Sequence, residues 1–354
     1  MESTKLFLSL FFIVSHFLEK GFAGHHHRHH HHHLYRHFQP SKLFVFGNSY
    51  VDTGNVGPSD SNYPKYPYGI TFPGKPYGRF SNGRVLTDYV ARFLGLKSPI
   101  PYRHLEKVGI EGAKYGVNFA YGGTGVFKTG YDLPTMTTQI DFLRNLIANS
   151  TFTPNQVNSS FALVSVSGND YSYYLSTNDS IEGFIPLIKK VVKQIRVNLK
   201  RIHSSGVKKI IITALGPLQC VPEITVLSNY EECNSTLTQL VDFHNFLLQQ
   251  AVYKLNKETN DSPFFILNLH SAFSSIIQNK GDPQGNIKFP NPLKPCCIGI
   301  NPEYHCGSVD EDGNKKYVLC NDPNSAFFWD GVHPTQQGWI AALTILLSTM
   351  KQHS

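Results

Sequence analysis

Four short patterns in this chain carry side chains that could do chemistry together. "LFVFGNSYVDTGN", Leu43 to Asn55, is an apolar run ended by Gly47, with Ser49 two positions on. "NFAYGGTG", Asn118 to Gly125, is rich in glycine. "FALVSVSGND", Phe161 to Asp170, ends by setting Asn169 behind Gly168. "WDGVHPT" holds Asp330 and His333 three apart, just before a helical pattern.

Ester hydrolysis by serine needs four parts. A serine must stand exposed on a tight turn, and an imidazole must take its proton and return it. A carboxylate must hold that imidazole in the right tautomer. Preorganised donors must meet the oxyanion of the tetrahedral intermediate. Ser49, His333 and Asp330 fit the first three roles. Asn169 can offer a side-chain N–H, and Ser49 its own backbone N–H. Gly122, without a Cβ, lets its N–H approach a substrate closely. Singly, each pattern has a structural explanation: a turn serine, a tight Gly-Gly loop, an aspartate at a helix start. Their joint occurrence at strand ends favours the chemistry. The G-x-S-x-G elbow is absent, as are H-E-x-x-H, the phosphate-binding G-x-x-x-x-G-K-[ST] and the dinucleotide fingerprint.

Alternating strands and helices must position these groups. Leu43–Gly47, Gly116–Ala120, Phe161–Asp170, Lys209–Leu215 and Phe264–Leu269 read as strands. Ile181–His203 reads as a helix with an apolar stripe of Ile185, Ile188, Val192, Ile195 and Leu199, and Leu237–Lys257 as another. A final helix begins near Thr335. Strands separated by helices pair in parallel through crossovers and gather their C-terminal ends on one edge. The expected fold is therefore a single three-layer α/β domain. Two irregular stretches interrupt it, Val56–Pro76 and Lys280–Phe327; loops that long serve as functional walls or disulfide-tied insertions.

At this level the sequence resembles the plant-type GDSL esterase/lipase family of SGNH hydrolases. The resemblance runs from Lys42 to the C-terminus. Block one reads Phe46-Gly47-Asn48-Ser49, then Asp52, Gly54 and Asn55; "GRFSNGRVLTDYVARFLGL" follows. "GVNFAYGG", "SGND", "GPLQCVP" and "FWDGVHPT" resemble the later blocks. The resemblance implies a flavodoxin-like parallel sheet of five strands. It implies Ser49 as nucleophile, His333 as base and Asp330 as its partner, with Ser49, Gly122 and Asn169 in the oxyanion hole and Gly123 as the competitor for Gly122. It implies carboxylic esters of lipids or acylated wall sugars as substrates, with no metal or organic cofactor. Three residues depart from the pattern: Asn48 for aspartate, Tyr121 for a small residue, where it could crowd the acyl site, and Gln219 for glycine.

The remaining features concern where the chain works. Lys5, the apolar block Leu6–Leu18 and the small residues Gly21 and Ala23 read as a signal peptide, 1–23. The block is too short to span a membrane comfortably, and no later segment is apolar enough. Residues 24–41 hold a His tract, His25–His33 broken by Arg28, and read as a disordered segment; loose metal binding and an expression tag are the other readings. The domain proper is 42–354. Five N-x-[ST] sequons, at Asn149, Asn158, Asn178, Asn234 and Asn260, fit a glycoprotein. Six cysteines without zinc-site spacing fit up to three disulfides in an oxidising compartment, with Cys220–Cys233 the preferred first pair because the two flank one loop. A net charge of +7, with Lys and Arg scattered, gives no nucleic-acid surface. The expectation is a secreted monomer of the cell wall or apoplast. The alternative is a catalytically weak or inactive wall or glycan binder on the same fold.

Overall fold

The apolar run Leu43–Gly47 forms the central strand, buried along its whole length, in a computed structural model that describes residues 40–178, 182–259, 261–282 and 285–352. Among these residues six strands make the main sheet: β1 (Leu43–Gly47), β2 (Ile100–Pro101), β3 (Val117–Asn118), β4 (Phe161–Ser165), β5 (Lys209–Thr213) and β6 (Phe264–Leu267). Their order is β2-β3-β1-β4-β5-β6, and every pairing is parallel. Apart from the edge strand β2, this is the flavodoxin-like order. The sheet thus has six strands where five were expected. β2 is two residues long and ends in proline, too short to carry a periodic signal.

Seven longer helices surround the sheet: α1 (Leu86–Phe93), α2 (Met136–Ala148), α3 (Gly168–Thr177), α4 (Phe184–Ser204), α5 (Ser235–Glu258), α6 (Leu269–Asn279) and α7 (Gln336–Gln352). The period-two alternation of the strands decides which helices lie on which face. Phe44, Phe46, Ala162, Val164, Ile210 and Ile212 join one core with α2, α4 and α5. Leu43, Val45 and Leu163 join the other core with α1, α6 and α7. The result is three layers.

Boundaries differ where side chains or glycines compete with the ladder. The third expected strand stops at Ser165; Ser167 turns at a φ of 103°, and Gly168 already opens α3. In α4, Ile188, Val192, Ile195 and Leu199 are buried, but Ile185 is 47% exposed. Phe184 takes the inward place instead, four residues before Ile188, and packs on Tyr171 and Tyr174.

One irregular stretch lines a cavity through Asn62, and the other is a disulfide-tied insertion. Val56–Pro76 contains neither helix nor strand. Lys280–Phe327 carries an antiparallel pair, β7 (Cys297–Gly299) and β8 (Tyr317–Leu319). The disulfides Cys296–Cys320 and Cys297–Cys306 staple it. The third bridge is the expected Cys220–Cys233. Four sequons, Asn149, Asn158, Asn178 and Asn234, are exposed. Asn260, the expected signal segment and the His tract lie outside the described residues. Among those described, no helix is long and apolar enough to cross a membrane.

Candidate active site

The turn after β1 is fixed from several sides. Gly47 has a φ of +136°, and a Cβ there would lie 1.8 Å from the Ser165 carbonyl oxygen, so only glycine lets β1 run this close to β4. Gln139 of α2 clamps the same residue: its Oε1 accepts from the Gly47 N–H (2.7 Å) and its Nε2 donates to the Gly47 carbonyl (3.0 Å). The Asn48 N–H donates to Ser165 O, and the Asn48 carbonyl accepts from Val51 and Asp52. The Asn48 side-chain Oδ1 accepts from the Tyr50 N–H at 3.2 Å. The substituted residue therefore braces the turn as an acceptor, a part either an amide or a carboxylate can play.

Ser49 Oγ lies 2.8 Å from His333 Nε2. On the far side of the ring, Nδ1 is 2.8 Å from each Asp330 carboxylate oxygen. Asp330 also accepts from the N–H groups of Val332 and His333 through Oδ1. Tyr68 donates to its Oδ2 at 2.6 Å. Burial pushes the Asp330 carboxyl up, but His333, Tyr68 and the Val332 N–H outweigh it, holding it below the usual carboxylate range. A carboxylate against Nδ1 keeps the proton there, which leaves Nε2 free to accept from the serine hydroxyl. Tyr50 and Phe80 flank the ring at centroid distances of 6.0 and 5.2 Å.

The oxyanion donors expected from the sequence fall out unevenly. Asn169 Nδ2 donates one hydrogen to Thr124 O at 2.8 Å, which orients the amide and leaves its second hydrogen uncommitted. The Gly122 N–H is already bound to Asp52 Oδ2 at 2.9 Å, and the Phe80 ring packs where its Cβ would be. Gly123 instead lines the cavity in front of Ser49. No acceptor among the described residues takes the Gly123 or Ser49 N–H. Tyr121 is not in that cavity wall; it faces Asp52, Tyr102 and Arg103, so it does not crowd the site. Gln219 is buried outside the wall too.

Several supporting residues receive no role from the sequence. Asp52 accepts four backbone N–H bonds, from Gly54, Asn55, Val56 and Gly122. It ties the serine turn to the glycine-rich loop. Burial pushes its carboxyl up to about 6, against the pull of those N–H groups. Asp170 does the same for α3, accepting from Val126 and Phe127 at 2.8 Å each. The Asp-x-Gly-Asn spacing after Ser49 is the one sequence signal that points to Asp52. Tyr68 lies in the irregular stretch, where no periodicity marks it.

The cavity holds about 720 Å³ and is walled by Ser49, Gly123, Asn169 and His333, with Leu218, Leu237 and other apolar residues behind them. Among the described residues no cluster of His, Cys, Asp and Glu could hold a metal ion.

A hydroxyl, an imidazole and a carboxylate in series, set at the strand ends of a flavodoxin-like sheet beside an apolar cavity, are the architecture of a serine-type ester hydrolase. The model of the GDSL-like lipase/acylhydrolase family matches residues 43–342, and the chain belongs to that family. A GDSL esterase/lipase of Arabidopsis thaliana is 53% identical over 314 residues, 88% of each chain. A second from the same plant is 49% identical over 354 residues, 99% of each chain. Acetylajmalan esterase 2 of Rauvolfia serpentina is 30% identical over 83% of this chain and 86% of its own. The protein is a carboxylic ester hydrolase.

Proposed function

We propose that Ser49 is the nucleophile, His333 the general base and acid, and Asp330 the group that orients it. Ser49 Oγ attacks the ester carbonyl as His333 Nε2 takes its proton. The carbonyl oxygen, now negative, meets the N–H groups of Ser49 and Gly123 and the free hydrogen of Asn169 Nδ2. Gly123 takes the place first expected of Gly122, because the Gly122 N–H is spent on Asp52. Collapse expels the alcohol, which takes the proton from His333, and leaves an acyl-serine. Water, deprotonated by the same imidazole, releases the acid and restores Ser49. Asp330 stays ionised throughout, stabilising the imidazolium.

One observation carries this reading: His333 spans Ser49 Oγ and the Asp330 carboxylate with 2.8 Å contacts on both ring nitrogens. A cavity of about 720 Å³ exceeds the needs of an acetyl group and suits larger acyl or alcohol portions, as in lipids or acylated sugars. Residues 1–23 act as a signal peptide and 42–354 as the hydrolase domain. The three disulfides and the four exposed sequons suit a secreted glycoprotein of the cell wall or apoplast, working as a monomer.

Hydrolysis of p-nitrophenyl esters by the purified protein and by Ser49→Ala tests the assignment. The variant is expected to lose at least about 10³-fold in kcat. Equal rates for the two proteins would sink it.

A further inference from the structure

Glu223 stands in the wall of the active-site cavity, beside Val221, Ile224 and Val332. Among the described residues it is the only Asp or Glu in that wall, and they include no Lys or Arg there. Its backbone is fixed: the Glu223 N–H donates to the Gly331 carbonyl at 2.8 Å, inside the Asp330–His333 turn. Its carboxylate leans over the same turn, with Oε2 4.0 Å from where a Gly331 Cβ would be. No described residue gives that carboxylate a hydrogen bond or an ion pair.

Glu223 is exposed, reaching solvent through the cavity, with the Asp330–His333 turn beneath it. Desolvation first, then the charge of Asp330, push the carboxyl up to about 7, with His333 pulling the other way. Tyr50, whose own hydroxyl feels Glu223, is the other titratable group facing it. A lone acid in a catalytic cavity marks a functional site.

We propose that Glu223 forms a subsite for a cationic group on the substrate, so that the enzyme prefers esters bearing an ammonium or quaternary ammonium centre. This rests on the ester-hydrolase reading of the same cavity. The cation would supply the counter-charge that the wall lacks. The aromatic faces of Phe80, Tyr131 and Tyr173, which also line the cavity, suit a weakly hydrated cation. Phe80 packs against His333 at a ring-centroid distance of 5.2 Å.

The test has a binding arm and a turnover arm. Calorimetry measures butyltrimethylammonium binding to the parent and to Glu223→Gln, an isosteric change at a solvent-open position. Turnover compares matched esters, a quaternary ammonium alcohol or acyl group against its tert-butyl isostere. The parent is expected to bind the cation more tightly at pH 8 than at pH 6, because Glu223 ionises across that range. Glu223→Gln is expected to lose that binding and its pH dependence. It should also lose about tenfold in the cationic-to-neutral ratio of kcat/KM. Equal binding by both proteins, no binding to the parent, or an unchanged ratio would overturn the subsite. An unchanged ratio with both esters slowed alike would make Glu223 a source of field for His333 instead. Cation binding that depends on Glu223, with no ester turned over, would uphold the subsite and count against the proposed reaction alone.

Discussion

Tyr68 donates a 2.6 Å hydrogen bond to Asp330 Oδ2 across 262 positions of sequence. The donor comes from the irregular Val56–Pro76 stretch, and both groups are buried. The bond occupies the carboxylate oxygen that the backbone of the Asp330 turn leaves open. The loop is thereby part of the support for the imidazole as well as a wall of the site.

Removing that hydroxyl should show in the pH profile. Asp330 is held below its ordinary value, so its contribution to stability is present above the unfolded value of about 4 and fades as pH falls through the lower, folded one. Tyr68→Phe takes away one of the lowering influences, so the folded value rises. The variant should lose about 1.5–3 kcal/mol at pH 7, as expected for a bond to a charged group. The deficit should shrink below about pH 4. The acid limb of kcat/KM should move to higher pH. Denaturant melts at pH 7 and pH 3.5, with a rate profile, check it; a deficit independent of pH would contradict the account.

Asn48→Asp should change little. Asn48 Oδ1 accepts from the Tyr50 N–H, and a carboxylate oxygen accepts in its place. The residue contributes its side chain as an acceptor, so restoring the family's usual aspartate should alter kcat/KM by less than about tenfold, or about 1.4 kcal/mol. A gain far above that would mean that the charge itself drives the reaction.

Asn169→Ala removes the side-chain donor proposed to meet the oxyanion. It should lower kcat by about 10²–10³-fold and leave KM nearly unchanged, because the bond forms most strongly in the transition state. Steady-state kinetics on a p-nitrophenyl ester separate the two constants. A rise in KM with kcat intact would place Asn169 in ground-state binding.

The six-stranded sheet was legible through five strands, because each of those lies in an apolar stretch ended by glycine or polar turn residues. The edge strand Ile100–Pro101 was not, since it is two residues long and ends in proline. The helical stripe was readable from Ile188 onward and misplaced at Ile185, where the choice between neighbours depends on what lies beneath the first turn. There, Tyr171 and Tyr174 favoured Phe184.

The sequence alone determined the chemical groups and their strand ends: a serine behind Gly47, an asparagine behind Gly168, and an aspartate and histidine one turn apart before the last helix. Local backbone rules suffice for that, because turns, glycines and helix starts are encoded within a few residues. Tertiary structure decided what each group meets. Gly122 and Gly123 are adjacent and chemically identical, and only the approach of Asp52 from another loop commits the first N–H and leaves the second to the cavity. Tyr68 and Glu223 reach the Asp330–His333 turn from segments far apart in the chain. Contacts of that kind depend on how loops close over the sheet, which no spacing along the chain records.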